Sequence, residues 1–251
     1  RINENPYLDN QLKQLEMQFN ATKQRLQNKF GTQKFIVYFQ SFTNTYAPFS
    51  TLKALYEKAL SFDNVIGLSI GTRTDCVTDE ILDYLVDLSK DKEIWIEFGI
   101  QSFFDETLIN INRGDTSSNM KYWINRSKEK GLNVCGHLIY GLPNETQEMM
   151  LETFRQTVEL KVDSIKFHPL YVVKNTLLTN EFKKGRFTPI SEELYIDTVV
   201  KSIKILPENI SIQRITAGIN DSTLLSPDWC RDKHTQMKNI RLALEKEGFN
   251  Y

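Results

Sequence analysis

Cysteine is scarce in this sequence: 251 residues hold three, at positions 76, 135 and 230. They are far apart and odd in number, so they do not form a disulfide framework. No C-x-x-C pair occurs, which removes paired-cysteine redox and zinc-ribbon chemistry. No apolar run approaches the roughly 18–20 residues that cross a bilayer, and no secretory signal opens the chain. No membrane is expected, and a reducing cytoplasm is the expected compartment. An excess of charge is also missing. The net charge of −1 gives no strong call for nucleic acid or an anionic membrane. A local basic stretch at 174–186, "KNTLLTNEFKKGR", reads most simply as solvated surface. No G-x-S-x-G supplies a nucleophile elbow, and no G-x-G-x-x-G follows an early strand, so a dinucleotide-binding sheet is poorly supported.

What is present is a globular composition, 40% hydrophobic and 25% charged, enough for a large domain with a real core. Residues 8–30 have helical spacing on a polar background, and Gly31 suits the helix end. A repeat follows. Strand-like runs begin near 35, 65, 94, 132 and 164, and each is followed by a stretch with apolar residues at helical spacing. Ser50 reads as the N-cap of the second helix, and Asn144 with Gln147 as a capping box. Strands alternating with helices every 30 residues or so imply βαβ units and a parallel sheet. A complete or partial (β/α) barrel fits best. The tail adds a helix over 191–206, a possible strand "ISIQRIT" and a last helix ending near Gly248.

In a parallel barrel the ligands gather where the strands end. The residues there are Gln40 and Ser41; Gly71, Thr72 and Arg73; Glu97, Gln101 and Ser102; His137 and Tyr140; and Lys166 and His168. One polar strand end would be unremarkable, but five together favour a site for a polar ligand. Cys135 lies inside a strand and reads as a buried, inert thiol. Cys230 and His234 are four apart in "WCRDKH" and could share a helix face, but two ligands do not make a metal site.

Three segments carry a resemblance: "EFGIQSFFDETLININRGDT", "GLNVCGHLIYGLPNETQEMMLETF" and "SIKFHPLYVVKNT". Together they resemble the radical S-adenosylmethionine (SAM) superfamily, in particular its bacterial branch akin to the Elongator catalytic subunit, and the positional match of Gln101 and His137 is to its oxygen-independent coproporphyrinogen oxidase branch. "GTRTDC" and "LLSPDWC" look like that branch too. The resemblance implies a partial (β/α)6 TIM-like barrel. It implies SAM and a [4Fe-4S] cluster as cofactors, reductive cleavage of SAM to a 5′-deoxyadenosyl radical, and an electron donor such as flavodoxin or ferredoxin. By position it assigns Gln101 to the ribose or methionine part of SAM, Arg113 to its carboxylate and His137 to the ribose hydroxyls. Ile139 and Gly141 would line the adenine. Gln40 and Ser41 stand where the superfamily often has a Gly-Gly-Glu motif for the SAM amine, and that motif is not present. Thr72, Arg73 and Glu97 are further cofactor candidates, and Lys166 and His168 are candidates for substrate. The Elongator likeness hints at tRNA, with 23–29 and 174–186 as possible phosphate contacts.

The cluster cysteines of the superfamily are not among Cys76, Cys135 and Cys230. The chain starts at Arg1 rather than Met, so the first strand and its cluster loop are expected upstream, and the chain in this form is expected to be inactive. The expected organisation is a barrel over 1–185, holding family strands two to six, with a C-terminal α-rich extension over 186–251. Two other functions stay open: a cluster-free barrel enzyme using rim His and Glu as acid and base, and a SAM- or RNA-binding module without radical chemistry.

Overall fold

The computed structural model describes residues 7–249. In chain order it has α1 (Leu8–Phe30), β1 (Phe35–Phe39), α2 (Phe49–Leu60), β2 (Val65–Thr72), α3 (Asp79–Ser89), β3 (Glu93–Gln101), α4 (Asp105–Asn110) and α5 (Ser117–Glu129). There follow β4 (Asn133–Tyr140), α6 (Gln147–Glu159), β5 (Ser164–Pro169), β6 (Val172–Val173), α7 (Leu177–Lys183), α8 (Glu192–Lys204), β7 (Ser211–Arg214), β8 (Leu224–Ser226) and α9 (Lys233–Lys246). Single 3-10 turns lie at Thr74–Cys76 and Asp228–Arg231. The main sheet has the order β1-β2-β3-β4-β5-β7, and β1–β2, β2–β3, β4–β5 and β5–β7 pair in parallel. All five expected strands are realised, and the possible strand over 210–216 joins the sheet as β7. β6 and β8 form a separate antiparallel pair.

Local chemistry explains most helix starts. Thr78, Thr146, Thr176, Ser191 and Asp232 each cap a helix with a side-chain oxygen. Two expected caps are corrected. α2 begins at Phe49 after an extended Pro48, which leaves Ser50 inside the helix. Asn144 does not cap α6: its φ is 66°, whereas an N-cap is normally extended, and Thr146 caps instead by accepting from the Met149 N–H. Cys230 and His234 do not share a helix face either. Asp232 starts α9 between them by accepting from the N–H groups of His234 and Thr235, leaving Cys230 buried in the preceding turn and His234 exposed.

The chain divides into two compact units. One runs to Phe98 and includes Asn125–Val134; the other comprises Gly99–Ile124 and Cys135 onward. In the first, Leu68 and Ile70 of β2, Ile94, Ile96 and Phe98 of β3, and Leu82 and Leu85 of α3 are all buried. β2 is buried along almost its whole length, as expected of a parallel strand covered on both faces. Gly67 is required there, because a Cβ would lie 1.9 Å from the carbonyl oxygen of Glu93. Arg126 and Lys130 tie the end of α5 to Asp79 and Asp83 of α3.

In the second unit an aromatic layer packs β4 and β5 under their helices. Phe167 stacks on Phe154 with centroids 5.8 Å apart, and Tyr140 lies against Phe167 at 5.3 Å. Tyr140 and Ser202 share a buried hydroxyl bond of 2.7 Å, and the Tyr195 hydroxyl donates to the Ile215 carbonyl at 2.8 Å. The C-terminal segment is fastened by a buried polar relay. Thr216 donates to the Gln236 side chain at 2.6 Å, and Gln236 donates to the Trp229 carbonyl at 2.9 Å.

Candidate active site

Each unit carries its own set of strand ends. In the first, the segment after β1 is pinned to the end of β2. Asn44 donates to the carbonyls of Phe39 (3.0 Å) and Gly71 (2.8 Å). Thr45 shares a 2.5 Å hydroxyl bond with buried Thr72 and donates to the Cys76 carbonyl at 2.6 Å. Thr72 is therefore held by Thr45, while Gln40 and Ser41 are exposed. Arg73 forks onto Asp75 with bonds of 2.7 and 2.5 Å. Glu97 is buried and accepts from Ser69. Parallel register puts Glu97 beside Gly71.

In the second unit the strand ends open onto a cavity of about 550 Å³, whose lining includes Gln101, Asn112, Ile139, Leu142, Asn144 and Leu170. The volume falls in the range of small-ligand sites, roughly 300–1,000 Å³. Apolar side chains alternate with carboxamides, which suits a ligand with one flat apolar part and one hydroxylated part. Gln101 sits at a kink: its φ is 69°, and the Ser102 N–H reaches back to the Ile100 carbonyl at 2.9 Å. That i→i+2 bond with positive φ is the rarer, strained γ-turn, and strain of this kind gathers at ligand sites. Gly141 has φ 90°, and a Cβ there would meet Ile190 at 2.7 Å. Glycine is needed at that end of β4 on both counts.

The two cavity walls that follow β3 and β4 are joined by Glu145, which accepts from the Ser102 hydroxyl at 2.5 Å. The Ser102 oxygen in turn accepts from the Phe104 N–H. Burial raises the Glu145 carboxyl above the ordinary carboxylate range, partly offset by its bonds to Ser102 and Thr107. Arg113 is buried and donates to the Gly99 carbonyl at 2.6 Å. At the mouth, Arg186 grips Glu181 through two bonds of 2.6 and 2.7 Å.

Register assembles the remaining candidates. His137 pairs with Lys166, and Ile139 with His168. Because side chains alternate along a strand and paired residues share a face, all four lie on the face that carries Ile139 to the cavity. Lys166 is buried. Burial pushes the His168 imidazole down to about 4, with Arg214 and His137 adding to the effect. Gln101 and Ile139 are thus brought to one cavity, and His137, Lys166 and His168 to the sheet face beside it. Glu145 and Arg214 were not singled out from the sequence. Nothing local marks Glu145 beyond a cap-like "NET", and Arg214 gains its meaning only from β7 pairing with β5.

The cysteines do not fit a cluster. They lie in three different elements, and Cys135 and Cys230 are buried. Burial raises the Cys76 thiol and pushes Cys230 up to about 12, whereas a cluster ligand must be a thiolate. SAM does fit the residues present, in the cavity's mixed apolar and carboxamide lining.

The parallel βα repeats define an α/β protein of the partial TIM-like barrel class. An archaeal homologue of Elongator protein 3 from Methanocaldococcus infernus, with residues 1–46 deleted, superposes with a TM-score of 0.80 over 94% of this chain and 60% of its own, at 21% identity. The radical SAM superfamily model matches residues 10–157 and the radical SAM C-terminal domain model matches 162–246. YtqA of Bacillus subtilis is 34% identical over 242 residues, covering 96% of this chain and 75% of its own length. The chain belongs to the radical SAM superfamily. The tRNA uridine(34) acetyltransferase of Methanocaldococcus jannaschii is 28% identical over 157 residues, 61% of this chain and 28% of that protein. Among the described residues no helix is long and apolar enough to cross a membrane.

Proposed function

We propose that this chain binds SAM in the cavity of its second unit and serves a radical SAM reaction on an RNA base. The observation that carries the reading is the cavity itself. Gln101 and Ile139, assigned to SAM on the sequence resemblance, line it together with Asn144 and Leu170. In this reading Ile139, Leu142 and Leu170 pack the adenine, and Gly141 is a proposed adenine contact on the resemblance alone. The carboxamides of Gln101 and Asn144, each able to donate and accept, hold the ribose hydroxyls. His137 remains a proposed ribose contact. Arg113 is proposed for the SAM carboxylate, with Gly99 taking one of its five donors. Gln40, Ser41, Thr72, Arg73 and Glu97 are proposed cofactor contacts on the resemblance alone. A [4Fe-4S] cluster, held by cysteines other than Cys76, Cys135 and Cys230, would supply the electron for reductive cleavage of SAM. This chain's own residues bind, orient and shield. The likeness to the archaeal uridine(34) acetyltransferase supports tRNA as the substrate class.

The test is calorimetric titration of the chain with SAM. Micromolar binding that falls about tenfold in Gln101→Ala, the order expected for one lost polar contact, supports the reading. No binding to the unaltered chain sinks it.

A further inference from the structure

We infer that a groove formed by β6, α7 and β8 holds the sugar–phosphate backbone of one strand of RNA, and that α7 leads that strand to the mouth of the proposed SAM cavity. The inference rests on the proposed function only for RNA as the partner.

Charge is unevenly placed along this chain. Residues 174–186 contain Lys174, Lys183, Lys184 and Arg186 against one acid, Glu181, a net of +3. The whole chain carries −1, so the remainder carries −4. Glu181 is already committed to the Arg186 fork. The fold turns part of this stretch into a concave site of about 510 Å³. Its lining holds Lys174, Asn175, Asn180 and Lys183, with Leu177 and Leu225 as the apolar part and no carboxylate. The Asp221 carboxyl is held below the ordinary range first by its bonds to Thr223, then by Arg231 and last by Lys174. It stands outside the lining.

Two lysines nine positions apart reach one groove because the backbone between them is pinned. The Lys174 N–H donates to the Thr223 carbonyl at 2.8 Å. The Thr176 hydroxyl donates to the Val173 carbonyl at 2.9 Å and caps α7 by accepting from the Thr179 N–H at 3.3 Å. The Thr179 hydroxyl donates to the same carbonyl at 2.6 Å. α7 then carries Asn180 and Lys183, three apart, on one face. A frame fixed in this way loses little freedom when a ligand binds.

The lining names the chemistry. Ammonium groups are point charges that suit phosphate oxygens. Carboxamides both donate and accept, which suits ribose hydroxyls, and the leucines offer a surface for a base. The repeating unit of RNA has these three parts. A volume of 510 Å³ is that of a small-ligand site, so the groove takes one strand and not a duplex. Leu177 supplies the direction. It is 82% exposed and lines both this groove and the proposed SAM cavity, so α7 is the wall between them. A strand seated in the groove therefore passes the cavity mouth.

A fluorescein-labelled uridine RNA of about twelve nucleotides is titrated with the whole chain. Affinity is read by anisotropy between roughly 50 and 200 mM NaCl. Lys174→Gln combined with Lys183→Gln is expected to weaken binding tenfold or more at the lower salt. It is expected to reduce the salt slope by about 1.4, the value for two phosphate contacts on a single strand. Lys174→Arg combined with Lys183→Arg keeps the charges and is expected to bind as the unaltered chain does. Lys238→Gln, an exposed lysine of α9, is expected to change neither affinity nor slope. Thermal melts report whether each variant keeps the fold. With 4-thiouridine in the RNA, irradiation is expected to crosslink α7, and crosslinks confined to other elements overturn the placement. A duplex that binds as tightly as the single strand overturns the single-strand assignment. A polyglutamate peptide that competes as well as RNA moves the partner to an acidic protein and overturns the RNA assignment. A salt slope that is the same in the double Gln variant and in Lys238→Gln overturns the groove. SAM titration separates the two readings. If the unaltered chain binds no SAM but its RNA binding follows the two lysines, the cavity reading fails and the groove stands. If SAM binds and RNA ignores the lysines, the groove fails and the cavity stands.

Discussion

His168 offers a quantitative test of how β5 is packed. Its ring is held neutral, mainly by burial, and titrates at about 4 in the fold against roughly 6.5 in an unfolded chain. The unfolded chain binds the proton first, so the stability that comes from keeping the ring neutral is present above pH 6.5. It is lost as the pH falls from 6.5 towards 4. With these two values the loss between pH 7.5 and pH 5 is about 2 kcal/mol, and full protonation costs about 3 kcal/mol. The assay is urea unfolding of the chain and of His168→Gln at pH 7.5, 6.5, 5.5 and 5. Glutamine does not titrate, so other groups cancel in the difference between the two proteins, which isolates the histidine. His168→Gln is expected to be the less stable at pH 7.5, since the bond from Nδ1 to the Pro169 carbonyl is disturbed, and the gap is expected to close by about 2 kcal/mol at pH 5. A gap that stays constant across this range would refute the claim that the fold keeps this ring neutral.

Four further outcomes follow from the geometry. Glu145→Ala removes the acceptor of the Ser102 hydroxyl and should cost about 1.5–3 kcal/mol in urea unfolding, with SAM affinity falling in parallel. Because burial raises the Glu145 carboxyl, its ionisation opposes folding, so its contribution strengthens as the pH falls towards 4.5. That slope should vanish in Glu145→Gln. Gly141→Ala puts a Cβ against Ile190 at a positive φ and should lower stability by about 2 kcal/mol or more; an unchanged melting temperature would contradict the packing described. Thr146→Ala removes the cap of α6 and should cost about 1 kcal/mol by the same assay.

Much of the fold follows from local signals. Strand runs such as "VIGLSIG" alternate with helices of 11–13 residues, and apolar period and turn chemistry are properties of neighbours in sequence. The caps read as Ser50 and Asn144 failed because backbone conformation decides among several nearby polar residues, and Pro48 and the positive φ of Asn144 set it otherwise. Among the candidate residues, Gln101, Ile139, Lys166 and His168 could be placed at strand ends from the sequence, since the end of a strand is a local feature. Their grouping could not. Whether Ile139 faces a cavity, or His168 stands beside it, depends on β4 pairing with β5 in one register, because a slip of one residue would turn every side chain to the other face. Glu145 gained its role from contact with Ser102, 43 positions away. Arg214 gained its role from the pairing of β7 with β5, across an irregularity that no local pattern announces. Apolar period and turn chemistry, both local, specify the class of fold and the polar strand ends. Which of those strand ends meet is set by the folded sheet, because contacts between distant strands depend on register and packing and not on neighbours in the chain.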